Sequence, residues 1–450
     1  MKFKRRTLLQ QISLAITPLA LLVLAPEAYS AYLQDQLAIN TSNNFVPKVQ
    51  SMGSIAEAIA GGTVDYNLQY RYENVDQPTT NLKTANASTL RLRLGYETAE
   101  FMGFGAYVQM EHITANDAYN SRVNGKNNYS VVADANVTEL NQAYLSYSGV
   151  PNTKFKLGRQ VITLDNHRWI GNVVWRQNWQ TYDAFTVINQ SLPDTTAIAG
   201  YITNVNRVFS DASIDNGTGG LLGNHHMRSP IFNVNYKGLG FAEVVGYGYF
   251  LDYDPSARVF GLRNSTKTVG AKFKGDAPMG GNKLLYAAEY ASQSDYKDNP
   301  NNYRVQYKLL EGGIDVKVAN FKVGYEVLGG NGRQSLQTPL ATLFAFNGWA
   351  DVFAGGTPTT GLQDVYFAAR TNVAGILLGA DYHDFRPDHG GGKFGSEFDL
   401  LASKKITKNY AVGARYAHFK ADNAISSANR VACPTCVDTD KFWLYGEMVF

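Results

Sequence analysis

Alternation of apolar and polar side chains, sustained over stretches of about ten residues, is the feature that most constrains this chain. Between Val64 and Glu73 every even position is apolar or aromatic and every odd position is polar or charged. Leu90–Glu97 and Phe321–Val327 repeat the pattern. A period of two places the two sets on opposite faces of a strand, so each strand separates an apolar environment from a polar one.

A soluble β-sandwich and a membrane β-barrel both alternate in this way. The segments match the roughly 9–11 residues that a tilted strand needs to cross a bilayer, and tyrosine and phenylalanine lie at their ends as in an aromatic girdle. Short links such as Glu100–Gly103 and Ala319–Asn320 alternate with long ones such as Ala115–Thr138 and Gly330–Gly361. The sequence therefore predicts an all-β fold, a transmembrane antiparallel up-and-down barrel of about eighteen strands, with sixteen as the other count that fits.

The N-terminus has the pattern of a secretory signal peptide. Met1–Arg6 is basic, Ile12–Ala25 is mostly apolar, and Ala28 and Ser30 are small residues at the positions that a signal peptidase reads. A membrane anchor is the alternative, but the apolar run is shorter than the ~20 residues of a spanning helix. We predict cleavage after Ser30 and export across the inner membrane.

The remaining chain divides into a short segment and the barrel. We predict a periplasmic N-terminal segment at residues 31–61, in which Ser54–Ala60 can form a short helix, and a barrel at residues 62–450. The last residue is Phe450, preceded by alternating apolar positions. Bacterial outer-membrane proteins commonly end in this way, so we predict that Phe450 is an assembly signal read by the barrel assembly machinery.

The charge balance excludes a nucleic-acid partner. The 41 Lys and Arg residues exceed the 38 Asp and Glu residues by three, and this whole excess lies in the first thirty positions. A protein without net charge beyond its leader lacks the basic surface that nucleic acid requires. Charged residues make up only 18% of the chain, which is low for a soluble protein.

No sequence motif indicates an enzyme, a cofactor or a metal centre. The chain contains no Gly-x-Ser-x-Gly, no His-Glu-x-x-His and no phosphate-binding loop. His225 and His226 form a pair in a predicted loop, but two adjacent histidines alone seldom bind a metal. Cys433 and Cys436 are the only cysteines. A redox pair or half of a zinc site also fits this spacing, and we predict a small structural disulfide that stiffens a loop tip.

One stretch carries a specific family resemblance. Leu157–Ala184 contains Gly-Arg-Gln at 158–160, Asp-Asn-His-Arg at 165–168, Trp-Arg-Gln-Asn at 175–178 and Gln-Thr-Tyr-Asp-Ala at 180–184. These segments resemble, in the same order, those of the alginate export family of outer-membrane barrels. Further matches at Glu139–Tyr144, Ser88–Tyr96, Gln337–Asp351 and Gly361–Val365 extend the resemblance over nearly the whole chain after residue 60.

The resemblance implies an eighteen-stranded barrel whose lumen passes solutes. The best-known members export an anionic polysaccharide, and many others look like general or substrate-selective porins. Trp169 follows Arg168 here, where the family more often has phenylalanine, which is a conservative departure. The resemblance therefore supports a channel more strongly than it supports alginate as the cargo.

Inward-facing charges decide what such a lumen passes. Arg71, Arg91 and Arg93 lie on two neighbouring predicted strands and could form a ladder that holds carboxylates or phosphates. The alternative is that Asp65 and Glu73, with Glu97, pair with these arginines and stiffen the wall. The alternation and the family motif together give these candidate pore-lining or solute-binding residues: Arg71, Arg91, Arg93, Lys154, Lys156, Arg159, Arg168, Trp175, Arg176, Trp179, Asp183, Arg370, Glu397 and Arg415.

The Asp165–Asp183 loop allows two interpretations. It is either a constriction loop folded into the lumen, with Arg168 and Arg176 for acidic groups and Trp175 and Trp179 for sugar rings, or a surface loop whose tryptophans anchor at the membrane interface. We favour the constriction loop because the motif is dense and polar.

Together these features predict a passive outer-membrane channel of a Gram-negative bacterium for hydrophilic, anionic solutes such as an oligo- or polysaccharide. A substrate-selective uptake porin for small organic acids or sugars is the alternative, and a plugged barrel that acts as an adhesin or enzyme is the third. The expected partners are outer-membrane lipid and lipopolysaccharide, the barrel assembly machinery and the solute. The alternation marks no apolar seam that would set an oligomeric state.

Overall fold

A computed structural model of the chain describes residues 51–116, 118–211, 213 and 220–450. The predicted signal peptide, its cleavage after Ser30 and most of the predicted 31–61 segment lie outside these residues. Within them, no helix is long and apolar enough to cross a membrane.

Eighteen strands form one closed antiparallel sheet, which confirms the predicted barrel and its higher strand count. Each strand pairs with its neighbours in sequence, and β1 also pairs with β18. The strands are β1 (Thr63–Asp76), β2 (Ala85–Glu97), β3 (Phe104–Ala115), β4 (Val137–Tyr147), β5 (Thr153–Gln160), β6 (Thr181–Asn189), β7 (Thr195–Asn206), β8 (Asn224–Tyr236), β9 (Ala242–Leu251), β10 (Thr266–Met279), β11 (Asn282–Asp295), β12 (Arg304–Val316), β13 (Ala319–Leu328), β14 (Leu362–Val373), β15 (Ile376–Arg386), β16 (Gly395–Lys405), β17 (Tyr410–Ala421) and β18 (Thr439–Val449).

The last residue closes the seam between the two ends of the sheet. The amide nitrogens of Tyr66 and Phe450 each donate to the other residue's carbonyl oxygen, at 2.9 and 3.0 Å. Their rings stack with centroids 4.9 Å apart. Phe450 thus contributes both backbone and ring contacts to barrel closure, while its part in assembly stays a prediction.

The two faces of the wall follow the alternation in the sequence. On β1, Val64 and Tyr70 are 60% and 45% exposed on the outside, while Arg71 and Glu73 are each 1% exposed on the inside. Large outward apolar side chains and an inward polar set are the arrangement of a barrel that meets lipid outside and a polar lumen inside.

Short turns and long loops alternate around the barrel, with two local differences from the prediction. The turn predicted at Ala319–Asn320 is Lys317–Val318, because Ala319 and Asn320 still pair with Val316 and Asp315. His225 and His226 lie on β8 and not in a loop, since β8 pairs with β7 as far as Asn224. Because neighbouring strand residues point to opposite faces, only His225 is buried.

The described part of the chain contains three short helices outside the strands: α1 (Ile55–Ala60), α2 (Arg258–Asn264) and α3 (Ser427–Ala432). Two 3-10 turns lie at Pro255–Ala257 and Leu343–Ala345. The short helix expected at 54–60 is α1, which begins after the N-cap Ser54 and packs on the first short turn, where the amide of Ala99 donates to the Ala58 carbonyl at 3.0 Å.

Two long loops fold into the lumen and carry much of the buried aromatic core. We call residues 161–180, between β5 and β6, loop A, and residues 329–361, between β13 and β14, loop B. Their buried members include Trp169, Trp175, Phe344 and Trp349. The space inside the wall is therefore filled from the long-loop end.

Candidate functional site

Loops A and B meet inside the barrel through a run of backbone contacts. Ile170 and Leu340 form a parallel bridge, and the Gly171 amide donates to the Leu340 carbonyl at 2.9 Å. The Thr342 amide donates to the His167 carbonyl at 3.0 Å. The two loops therefore act as one body, which we call the partition. It is built from the motif segment that carries the family resemblance.

An aromatic stack holds the centre of the partition. The indole of Trp175 in loop A stacks on Phe344 in loop B, with centroids 4.2 Å apart and planes 9° apart. Arg415 of β17 lies over the rings of Trp175 and Trp349, at 4.4 and 4.6 Å. Guanidinium groups over aromatic faces are favourable and more so when water is excluded.

The three ladder arginines lie beneath loop A and are each 1% exposed. Arg71 pairs with Asp134 at 3.4 Å and donates to the Trp175 carbonyl. Arg93 pairs with Glu111 of β3 and donates to the Gln177 carbonyl at 3.1 Å.

Arg91 of the same ladder donates to Asn67 at 2.6 Å and lies 3.7 Å from Glu447. The structure thus brings the three arginines together beneath loop A, where they donate hydrogen bonds to other groups of the protein. This arrangement is the wall-stiffening alternative, with other carboxylates as partners than the sequence suggested.

Loop A is fixed to the wall by buried ion pairs. Arg176 lies 3.0 Å from Glu73 of β1 and 3.5 Å from Asp134. Arg168 lies 3.0 Å from Glu326 of β13. Burial alone would lower the pKa of Arg176, but the facing carboxylates of Glu73 and Asp134 outweigh it and raise that pKa. Arg176 is therefore a permanent positive charge that holds two carboxylates.

Near these arginines, burial shifts the pKa values of two further side chains in the loops. Burial lowers the pKa of His167 to about 4, so the imidazole is neutral at neutral pH. Burial raises the pKa of Asp351, against the opposing effects of Lys441 and Arg176. Both groups belong to the partition, but they act in opposite directions: acid weakens the docking contributed by His167, whereas the raised pKa of Asp351 favours its protonated form in the docked state.

Carboxylates of the opposite wall hold loop B. Glu397 accepts from the Ala350 amide at 2.6 Å, and Asp399 accepts from the Trp349 amide at 3.2 Å. Gly348 has a φ of 82°, and a Cβ there would lie 2.4 Å from Glu397. Only glycine satisfies both the backbone conformation and this close approach. Glu397, a predicted pore-lining residue, therefore braces the partition.

The faces of Trp175 and Trp179 are already covered. Arg71 lies 4.5 Å from the centroid of Trp175, and Arg93 lies 3.3 Å from that of Trp179. The two indoles are 8% and 3% exposed. Stacking on a sugar ring, the role suggested by the sequence, would require these contacts to open.

Two predicted pore-lining residues lie on the other side of the wall. Arg159 and Asp183 form an ion pair at 2.8 Å on the outer face, on the same sides of β5 and β6 as Leu157 and Phe185. The alternation of β5 explains this correction, because Gln160 points inward and Arg159 must point outward.

Three other predicted bases do face inward. Lys154 and Lys156 are buried on β5, with Lys156 4.6 Å from the ring centroid of Tyr144. Arg370 of β14 pairs with Asp381 of β15. These side chains lie toward the short-turn end of the lumen, away from loop A.

A cavity of about 570 Å³ lies on the long-loop side of the partition. Loop B forms much of its lining, and aromatic side chains such as Phe260 and Phe353 contribute apolar surface. Four guanidinium groups line it against one carboxylate: Arg168, Arg207, Arg263 and Arg333 against Asp351. We call this cavity the vestibule. Its charge contrasts with the balance of the chain as a whole.

The cysteine pair lies at the rim of the vestibule. Cys433 and Cys436 are joined by a disulfide and both are buried. The Thr435 hydroxyl donates to the Val352 carbonyl of loop B at 2.6 Å. The disulfide ring therefore fastens the β17–β18 loop onto loop B.

Sequence reasoning missed Asp134, one of the carboxylates that hold loop A, and several vestibule arginines. Asp134 lies in the 116–136 loop, and it accepts from the Gln177 amide at 2.9 Å. Arg207, Arg263 and Arg333 come from three other loops. None of these residues belongs to an alternating segment or a motif, so no local pattern marks them.

Comparisons with known proteins agree with this architecture. The family model for alginate export matches residues 58–297, more than half of the chain. Comparison with curated proteins gives no match.

Solved outer-membrane porins have the same fold. Acinetobacter baumannii OccAB4 has a TM-score of 0.62 at 13% identity, covering 86% of this chain and 98% of its own. Pseudomonas aeruginosa OccD3 (OpdP) has a TM-score of 0.65 at 15% identity, covering 92% and 97%. P. aeruginosa OpdK, solved with vanillate, has a TM-score of 0.66 at 12% identity, covering 87% and 99%. The chain is an outer-membrane, porin-like β-barrel and belongs to the alginate export family.

Proposed function

We propose that this protein is a selective diffusion channel for small hydrophilic anions. The observation that carries the proposal is the vestibule, where Arg207, Arg263 and Arg333 line the entrance to the partition beside Arg168, which is already paired with Glu326. A solute that enters from the long-loop end meets this field before any other part of the lumen.

Two of the vestibule arginines are available to a solute. Arg263 and Arg333 are exposed, and within the described part of the chain neither has a carboxylate within 4.0 Å. Among the described residues, Arg207 donates to the backbone carbonyls of Gly220 and Leu222, at 3.0 and 3.2 Å. Unneutralised cations in a concave, partly apolar site raise the local concentration of anions. Guanidinium also matches the two oxygens of a carboxylate.

The partition supports a small solute over a polymer. Loop A reaches the wall at β1, β11 and β13, through Arg176, Trp169 and Arg168. Loop B reaches it at β16 through the Ala350 amide. A polysaccharide chain would need both loops to leave these contacts, whereas a small organic acid needs only a gap beside them.

Passage of an anionic polysaccharide is the second candidate, because the vestibule arginines fit uronate carboxylates as well. It requires loop A to withdraw from the lumen. The two candidates therefore differ in the size of solute that crosses with the partition in place.

Uptake into proteoliposomes separates these possibilities. We expect glucuronate to enter at least about threefold faster than glucose, which is similar in size but neutral. Oligoglucuronates should be excluded as their length increases. R263Q/R333Q should bring the two rates together, while R386Q, which removes an outward-facing base, should not. Equal rates for the two monosaccharides in the wild type would contradict anion selectivity, and unhindered entry of long oligomers would favour the polysaccharide.

A further inference from the structure

Three basic side chains project from the lipid-facing side of the barrel near its long-loop end. Lys267 on β10 and Arg304 on β12 both pair with Ser294 on β11, one from each side. Lys308 lies four residues further along β12, on the same face and opposite Tyr290. Their outward direction follows from their inward neighbours, since Thr266 and Tyr307 are fully buried and Val305 is 4% exposed. We call Lys267, Arg304 and Lys308 the outer basic cluster.

The cluster is compact on the scale of a lipid headgroup. Strands lie about 4.8 Å apart, so Lys267 and Arg304 are separated by roughly 10 Å across the sheet. Four residues along a strand place Lys308 about 13 Å from Arg304. Flexible lysine and arginine side chains can close these gaps and direct three cations at one group.

Absence of acidic partners distinguishes this cluster. Within the described residues, none of the three bases has a carboxylate within 4.0 Å. The other outward bases near the same end of a strand do have one. Their pairs are Arg159–Asp183 at 2.8 Å, Arg228–Asp252 at 3.3 Å, Arg386–Asp384 at 2.7 Å and Lys420–Asp438.

Apolar surface continues directly below the cluster. Val269, Tyr290 and Leu310 point outward beside the three bases and are 51%, 55% and 65% exposed. A lysine on the lipid-facing side of a barrel is costly and the cost rises with depth. Three unpaired bases above an apolar face therefore suit an anion that is itself part of the membrane.

We propose that the outer face of β10–β12 binds a phosphorylated glycolipid of the outer leaflet, of the lipopolysaccharide type. Its phosphates lie on Lys267, Arg304 and Lys308, where the guanidinium donates two hydrogen bonds to phosphate oxygens. Its acyl chains lie on Val269, Tyr290 and Leu310. This site is separate from the lumen and does not depend on the proposed transport function.

Thermal unfolding in the presence of lipid tests the site. The folded protein in neutral detergent micelles is titrated with diphosphoryl lipid A, and the loss of its heat-modifiable folded band is followed on heating. A ligand that binds the folded state alone raises the unfolding temperature. We expect K267Q/R304Q/K308Q to need at least about tenfold more lipid A than the wild type for the same rise.

The matched control is R228Q/R386Q/K420Q, which removes three outward bases that have carboxylate partners. It should respond to lipid A as the wild type does. All three proteins should show the same folded band without lipid, and the cluster variant should keep wild-type glucuronate uptake.

Equal responses of the cluster variant and the wild type would overturn the proposal. It would also be overturned if lipid A without phosphates raised the unfolding temperature as much, because the cations would then have no part. A rise produced by inorganic phosphate alone would show a free-anion site in place of a lipid site.

Discussion

Trp175 of loop A and Phe344 of loop B stack at 4.2 Å between ring centroids, with their planes 9° apart. The two residues are 169 positions apart in the chain, yet their contact joins the two loops that fill the lumen. The wall contributes on both sides, through Arg71 and Arg415, which lie 4.5 and 4.4 Å from the centroid of Trp175. We therefore expect passage through the barrel to depend on how firmly this partition is docked.

Removing one ring from the stack should widen the path. F344A leaves the barrel hydrogen bonds intact but deletes the aromatic contact, and we expect single-channel conductance to rise roughly twofold because the narrowest part of a pore dominates its resistance. F321A is the control, since Phe321 is 48% exposed on the outer face. Unchanged conductance in F344A would mean that ions bypass the stack.

Breaking the Arg176 ion pairs should loosen loop A. R176Q removes the cation shared by Glu73, Asp134 and Asp351. Asp134 keeps Arg71, but Glu73 loses its ion-pair partner, and breaking a buried pair in this way costs about 3–5 kcal/mol. We expect frequent brief openings in current recordings. R159Q breaks a half-exposed pair on the outer face, and such pairs contribute about 0–1 kcal/mol. This control should therefore show no additional brief openings. If R176Q showed no more brief openings than the wild type, the ion pairs of Arg176 would not hold loop A in place.

Acid should loosen the partition through His167. The docked imidazole has a pKa of about 4, whereas an undocked histidine has its ordinary value near 6.5. Because the undocked loop binds the proton first, the contribution of His167 to docking is at full strength above pH 6.5 and is lost as the pH falls toward 4.

The loss at pH 4 is on the order of 3 kcal/mol. We expect conductance to rise over this interval in the wild type, and the rise to be smaller in H167Q, which has no proton to gain. An identical pH profile in both proteins would exclude His167 as the cause.

Loss of the disulfide should affect the vestibule more than the barrel. C433S/C436S opens a ring of four residues, for which loop-closure entropy gives about 2 kcal/mol in the unfolded chain. We expect a small change in the urea midpoint of the barrel and a measurable loss of selectivity for glucuronate, because Thr435 then holds Val352 less firmly. A large fall in the urea midpoint would show that the disulfide supports the whole fold.

The wall of the barrel could be predicted from the sequence because the direction in which a strand residue points depends only on its position in the local alternation. Each residue of Val64–Glu73 faces lipid or lumen according to whether its number is even or odd, and β1 follows that rule over this stretch. The same rule applied from Leu157 would have placed Arg159 outside, but the family motif drew it into the pore set. Here the local alternation was the better guide.

The partition could not be predicted in the same detail. Apolar and polar residues do not alternate regularly in loop A. Its contact partners come from distant parts of the chain, such as Asp134, Glu326 and Leu340. The composition of the motif indicated a polar, aromatic loop, and the structure shows that its arginines and tryptophans bind the wall and each other. Long-range pairing of this kind leaves no trace in residue spacing.

The reversal potential of the folded protein in a planar bilayer, under a tenfold gradient of potassium chloride, tests the central claim most directly. The account predicts a reversal potential displaced from zero toward the equilibrium potential of chloride. This displacement should shrink toward zero in R263Q/R333Q and stay unchanged in R386Q. A wild-type potential on the potassium side would contradict it, because the vestibule arginines would then not set the selectivity of the channel.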